Sequence, residues 1–189
     1  MTLFRTVNPT AEPVTLAEAK AHLRVTHESE DALVSGLIAA ARQEVERQAG
    51  LALIEQDWRL VLDAWPAEDI IELRRHPVSQ ILSVTIYDSD GAASLVASQN
   101  YQLDAASRPA RLLVKDRPAP GLCMNGIEID FRAGFGAAGT DVPDLLKRSM
   151  LMLVAHWYEF RGSHGPDAQP VSFPAGFDRL IAGYRLARL

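Results

Sequence analysis

TDVPDLLKRSMLMLVAHWYEFRG, residues 140–162, reads as one helix with almost no polar side. Asp141 offers a cap, Pro143 suits a first turn in which a missing N–H costs nothing, and Gly162 supplies a stop. Between them Leu146, Met150, Leu153, Val154 and Trp157 recur at helical spacing, while Leu145, Met152, Ala155, Tyr158 and Phe160 cover much of the remaining circumference. So apolar a surface must be covered, either by other helices or by a neighbouring subunit.

Helices are also written at the start of the chain. PVTLAEAKAHLRV sets Thr15 three residues before Glu18, a capping box, with Leu16, Ala19 and Leu23 at helical spacing. DALVSGLIAAARQEVERQAG places Leu33, Leu37, Ile38, Ala41 and Val45 on one stripe and ends at Gly50. Arg42, Glu46 and Arg47 fall on its other side, where opposite charges at this spacing predict a solvated face. After a polar link from Gly162 to Ala175, FDRLIAGYRLARL returns to helix, with Phe177, Leu180, Ile181 and Tyr184 on one side.

From Gln56 to Arg132 the period shortens to two. DWRLVLDAW, ILSVTIYD and GIEIDFRAG alternate as strands, shorter strands are expected near IIEL, NYQLD and ARLLV, and Asp88-Ser89-Asp90-Gly91 predicts a turn back onto Ala92 to Val96. No helix-length segment separates these strands, so the sheet is expected to be antiparallel. The fold class is α+β: a helical core drawn from 1–55 and 133–189, with an antiparallel β-rich region, 56–132, inserted between them.

Composition narrows the function. At 189 residues the chain is one domain or one domain with an insertion, and it can bury roughly 70% of its unfolded surface. Cys123 is the single cysteine, which rules out an intrachain disulfide and fits a reducing compartment. The first residues, MTLFRTVNPTAEP, lack the basic and apolar regions of a signal peptide, and no stretch reaches the about eighteen apolar residues of a membrane span. A soluble protein made in the cytoplasm, without membrane contact, is expected. A net charge of −5 gives no broad attraction for nucleic acid.

Chemical motifs are sparse. Gly134-Phe135-Gly136-Ala137-Ala138-Gly139 matches G-x-G-x-x-G after a strand, which raises a dinucleotide-binding oxidoreductase as an alternative. In that fold, however, the helix opens inside the glycine motif, whereas Asp141, Val142 and Pro143 postpone it here. A flexible strand-to-helix loop at Gly134, Gly136 and Gly139 is the simpler reading. His156 and Glu159 could begin a metal site but do not complete one, and His22, His27, His76 and His164 stand in unrelated contexts. No serine lies in a nucleophile elbow and Cys123 has no basic neighbour, so no catalytic residue, cofactor or metal is assigned. Trp157, Tyr158 and Phe160 admit two readings, core packing or a subunit interface, since they cannot all face one inner seam.

Taken in order, the T-L-A-E-A-K-x-H-L-R block at the start and the V-P-x-x-L-K…A-H-W-Y-E block near the end resemble the head-to-tail connector, or adaptor, proteins of long-tailed bacteriophages, prophages and gene transfer agents. The resemblance covers most of the chain, in letters at its two ends and in character through the middle sheet. It implies a structural protein of the particle neck, assembled as a ring of typically twelve copies beneath the portal. The ring receives tail-side neck proteins on its other face and passes DNA without specific binding. A tail-completion or other neck protein is the alternative within the same class. Portal contact in this family commonly uses the C-terminal segment, which nominates Arg179, Tyr184, Arg185 and Arg188, with a plain surface helix as the competing reading. Deleting Phe177 to Leu189 is expected to leave a folded protein that no longer attaches.

Overall fold

In the computed structural model, which describes residues 1–160 and 173–185, the chain forms two compact units. Met1–Thr10 and Glu55–Phe135 make the first, built of strands; Ala11–Ile54 and the described residues from Gly136 onward make the second, built of helices.

The strand unit contains β1 (Thr2–Val7), β2 (Gln56–Leu62), β3 (Ile70–Leu73), β4 (Val78–Tyr87), β5 (Ala93–Leu95), β6 (Tyr101–Asp104), β7 (Ala110–Val114) and β8 (Ile127–Ala133). They form a five-stranded sheet in the order β1-β2-β8-β4-β5 and a three-stranded sheet in the order β3-β7-β6, antiparallel at every pairing. Alternation decides the faces. In β8, Ile127, Ile129, Phe131 and Ala133 are buried while Glu128, Asp130 and Arg132 between them are half-buried. Register carries that pattern across the sheet: Leu60, Ile129 and Val84 form one apolar row, and Trp58, Phe131 and Ile81 the next. Fully burying side chains of this size contributes about 1.5–3 kcal/mol each. Register shifts between Val78 and Gln80 and between Ile81 and Ser83 bulge β4, so Val84 and Ile86 turn inward while Leu82 stands exposed. The expected turn is present. Asp88 accepts the N–H groups of Asp90 and Ala92 at 2.9 Å each, and Gly91 has a φ of +79°, which a residue bearing Cβ adopts with strain.

β1 is an addition to the sequence reading, which placed no strand before the first helix. TLFRTV pairs with β2 from Thr2 opposite Val61 to Val7 opposite Asp57, and so becomes an edge of the larger sheet. Its alternation is mixed on both faces, which is why periodicity alone passed over it.

The helical unit holds α1 (Leu16–Leu23), α2 (Asp31–Ala49), α3 (Asp144–Glu159) and α4 (Phe177–Ile181). The capping box at α1 is formed: Glu18 N–H donates to Thr15 Oγ1 at 3.2 Å, and Thr15 N–H donates to the Glu18 carboxylate at 2.7 Å. Those Thr15 hydrogen bonds, backbone first, hold Glu18 below its ordinary pKa. Gly50 closes α2 at a φ of 70°, donating to Glu46 O. α3 packs against α1, α2 and α4.

Two expected details of α3 differ. Pro143 is its N-cap, not a first-turn residue, and Asp141 ends a short 3-10 turn, Gly139–Asp141, ahead of it. The proline keeps an extended ψ of 137° and leaves its carbonyl to accept from Leu146 and Lys147. Gly162, the expected stop, lies outside the described residues. The α2 seam is also displaced: Val34, Ile38, Ala41, Val45 and Ala49 are buried, whereas Leu33 is exposed and Leu37 half-buried.

Candidate assembly surfaces

Arg42 and Glu46 are the largest departure from the sequence reading, which put them on a solvated face. Each is 5% exposed. Arg42 Nη1 donates to Glu46 Oε2 at 3.1 Å and its Nε to Glu12 Oε2 at 2.8 Å, while Glu46 Oε1 accepts the Leu53 N–H at 2.9 Å. The segments before α1 and after α2 both fold over this side of the helix, and the charges are retained because each is paired and hydrogen-bonded. Arg47, by contrast, is exposed as expected and pairs with Glu44 at 2.7 Å. The network is structural: it fixes a helix to its flanking chain and leaves no charged atom directed at a ligand.

On the face of the five-stranded sheet opposite its apolar rows lies a cross-strand charge ladder. Arg59 makes a bidentate pair with Asp130 at 2.8 and 2.9 Å and a further contact with Glu128 at 2.8 Å. Arg132 makes a second bidentate pair with Asp57 at 2.7 and 3.0 Å. Ser83 donates to Asp130 at 3.1 Å and Tyr87 to Glu128 at 2.9 Å. These partners stand opposite one another because register sets Arg59 beside Asp130 and Asp57 beside Arg132. The Asp130 hydrogen bond raises the pKa of Arg59, Asp57 does the same for Arg132, and Glu128 raises that of the Tyr87 hydroxyl. Each of the two arginines in the ladder is paired within the sheet, and the three carboxylates outnumber them by one.

The aromatic residues nominated near the end of α3 separate as their spacing requires. Trp157 and Tyr158 are half-buried, Phe160 is exposed beyond the last turn, and Leu145 at the other end is exposed too. Tyr158 donates to Glu30 just before α2, and the Phe160 ring lies 4.9 Å from that of His156. The buried seam is Leu146, Ser149, Met150, Leu153 and Val154, where the Ser149 hydroxyl donates to Leu146 O at 2.7 Å.

At the C-terminal side Phe177 and Ile181 are fully buried in the helical unit, while Arg179 is exposed and Tyr184 half-buried. Arg185 already has partners on its own chain, Asp178 at 2.6 Å and Gln48 at 2.9 Å. Arg188 and His164 lie outside the described residues.

Each glycine of the G-x-G-x-x-G segment has a local steric role. Gly134 has a φ of 150° and donates to Pro77 O at 2.8 Å. A Cβ on Gly136 would strike the Asp141 carboxylate, and one on Gly139 would sit 2.7 Å from Pro13 O. α3 begins at Asp144, beyond the last glycine, and among the described residues no strand pairing is parallel, so the conditions for a dinucleotide fold are not met there. Among the described residues no three His, Cys, Asp or Glu side chains are grouped to hold a metal ion, and no helix is long and apolar enough to cross a membrane.

Comparison with curated proteins gives no match. Solved structures do. The chain is similar to one in the neck of an empty GTA particle computed with C6 symmetry, at 29% identity and a TM-score of 0.82. It is similar at 28% identity to chains in the virion of a native gene transfer agent particle and in the neck of a native GTA particle computed with C12 symmetry, with TM-scores of 0.82 and 0.81. In all three, 100% of this chain is aligned with 97% of the other. Residues 13–108, just over half of the chain, match the family of phage gp6-like head-tail connector proteins, and the protein belongs to that family.

Proposed function

We propose that this protein is a structural head-to-tail connector that joins the DNA-filled head of a phage-like particle to its tail. The observation that carries this reading is the end-to-end likeness to subunits of gene transfer agent necks, at 28–29% identity with every residue of the chain aligned. A non-enzymatic role agrees with side chains spent on packing and on mutually paired charges. Made in the bacterial cytoplasm, the chain acts in the assembled neck, as one of twelve copies in a ring beneath the portal with tail-side proteins on the far face. Arg179, Tyr184, Arg185 and Arg188 are the proposed portal contacts, and Trp157, Tyr158 and Phe160 the proposed subunit contacts. A net charge of −5 suits a conduit through which DNA passes without being retained.

The test is to mix the full chain with the portal protein of the same particle and image the product. Rings seated on one face of the portal are expected. Capture by tail-side proteins with none by the portal would make it a tail-completion protein instead, and binding to neither would end the connector reading.

A further inference from the structure

The two outer strands of the five-stranded sheet, β1 and β5, both expose apolar side chains. β5 is exposed along its whole length and carries Leu95 at 73% exposure. β1 carries Phe4 at 44%, with Met1 and Val7 also exposed. Open edges in soluble sheets are ordinarily blunted by lysine, proline, inward charge or bulges, because their free N–H and C=O groups template further pairing. That protection is present nearby: β5 covers only Thr85 to Tyr87 of β4, and the uncovered part of β4 is the part broken by two register shifts. β5 itself has neither charge nor proline, and β1, which carries Arg5 and a register shift between Arg5 and Val7, pairs regularly from Thr2 to Arg5.

We infer that β1 of one copy lies beside β5 of the next, so that the five-stranded sheets join edge to edge around the ring. This rests on the connector reading. A closed ring needs two different patches on each subunit, and the edges supply them at opposite ends of one sheet. Apolar side chains at both edges give the joined strands a covered seam, and backbone pairing gives register. Symmetry argues for a second copy as the occupant. A ring is built from copies of one chain, and one of the solved necks that this chain resembles was computed with C12 symmetry. Held in a ring, each such contact becomes intramolecular and is reinforced by its neighbours.

The experiment is disulfide trapping in the full chain with Cys123→Ser, adding Phe4→Cys on β1 and Leu95→Cys on β5, assembled on the portal protein and oxidised. A ladder of two, three and more linked copies is expected from the double variant, and none from either single variant. Portal-borne rings that give no ladder would overturn the edge pairing while leaving the connector reading intact. Cross-links from an edge to the portal or a tail protein would likewise overturn the second-copy assignment. Failure of the unsubstituted chain to form rings would overturn both. As a check that does not rely on trapping, Leu95→Lys, at a solvent-exposed site, is expected to keep its thermal midpoint and lose ring formation; rings of normal yield would count against the proposal.

Discussion

At the scale of single residues, the charges with the largest expected effect on stability are those the chain has folded over, Arg42 and Glu46. Arg42→Met leaves Glu46 buried without its main partner, and a loss of about 3–5 kcal/mol is expected in urea unfolding. Adding Glu46→Leu is expected to recover part of that loss, since a matched apolar pair replaces a matched ionic one. Asp104 gives the pH dependence. Hydrogen bonds from Ser107 and then Arg111 lower its pKa to about 2. Its folded pKa lies below the unfolded value of about 4, so its contribution is complete above that pH and is lost as pH falls toward about 2. Asp104→Asn is expected to flatten that part of a thermal-midpoint profile taken from pH 2 to 6, with the neutral-pH midpoint lowered. None of this was legible in the letters. Arg42 and Glu46 have the same charges and helical spacing as a solvated pair, and only the two segments folding over them make the difference.

At the scale of elements, the capping box of α1, the glycine end of α2 and seven of the eight strands among the described residues were legible, because each combines a period with its own punctuation. β1 was not, since its partner β2 lies some fifty residues away and its faces are mixed. The passage from β8 into α3 tests the close approach at Gly139. Gly139→Ala sets a methyl against the Pro13 and Glu12 carbonyls and is expected to cost about 1–3 kcal/mol, whereas Gly36→Ala, with open space around it and in mid-helix, is expected to stabilise slightly. Within α3, Leu153→Ala is expected to cost about 2–5 kcal/mol as a buried truncation. Half-buried Trp157→Ala is expected to fall below the about 3–5 kcal/mol of a core tryptophan, and calorimetry of the two variants side by side checks the contrast.

At the scale of the whole molecule, the α+β class and the antiparallel sheet could be read directly, since helical and two-residue periods occupy separate stretches of sequence. The division of the strands between two sheets could not, because pairing partners are not written in local periodicity. The C-terminal helix alters one expectation. Removing Phe177 to Leu189 takes two fully buried side chains, Phe177 and Ile181, out of the helical unit, so the truncated chain is expected to lose stability rather than remain folded. Docking is better probed at Arg179, which is exposed: Arg179→Glu is expected to keep the circular dichroism melt of the parent and weaken portal capture. The deep seating of Phe177 also has a mechanical side. Tension applied at Tyr184 would pass to α3 through the buried Phe177 and Ile181 side chains, so a pull on this end of the helical unit loads the bundle itself.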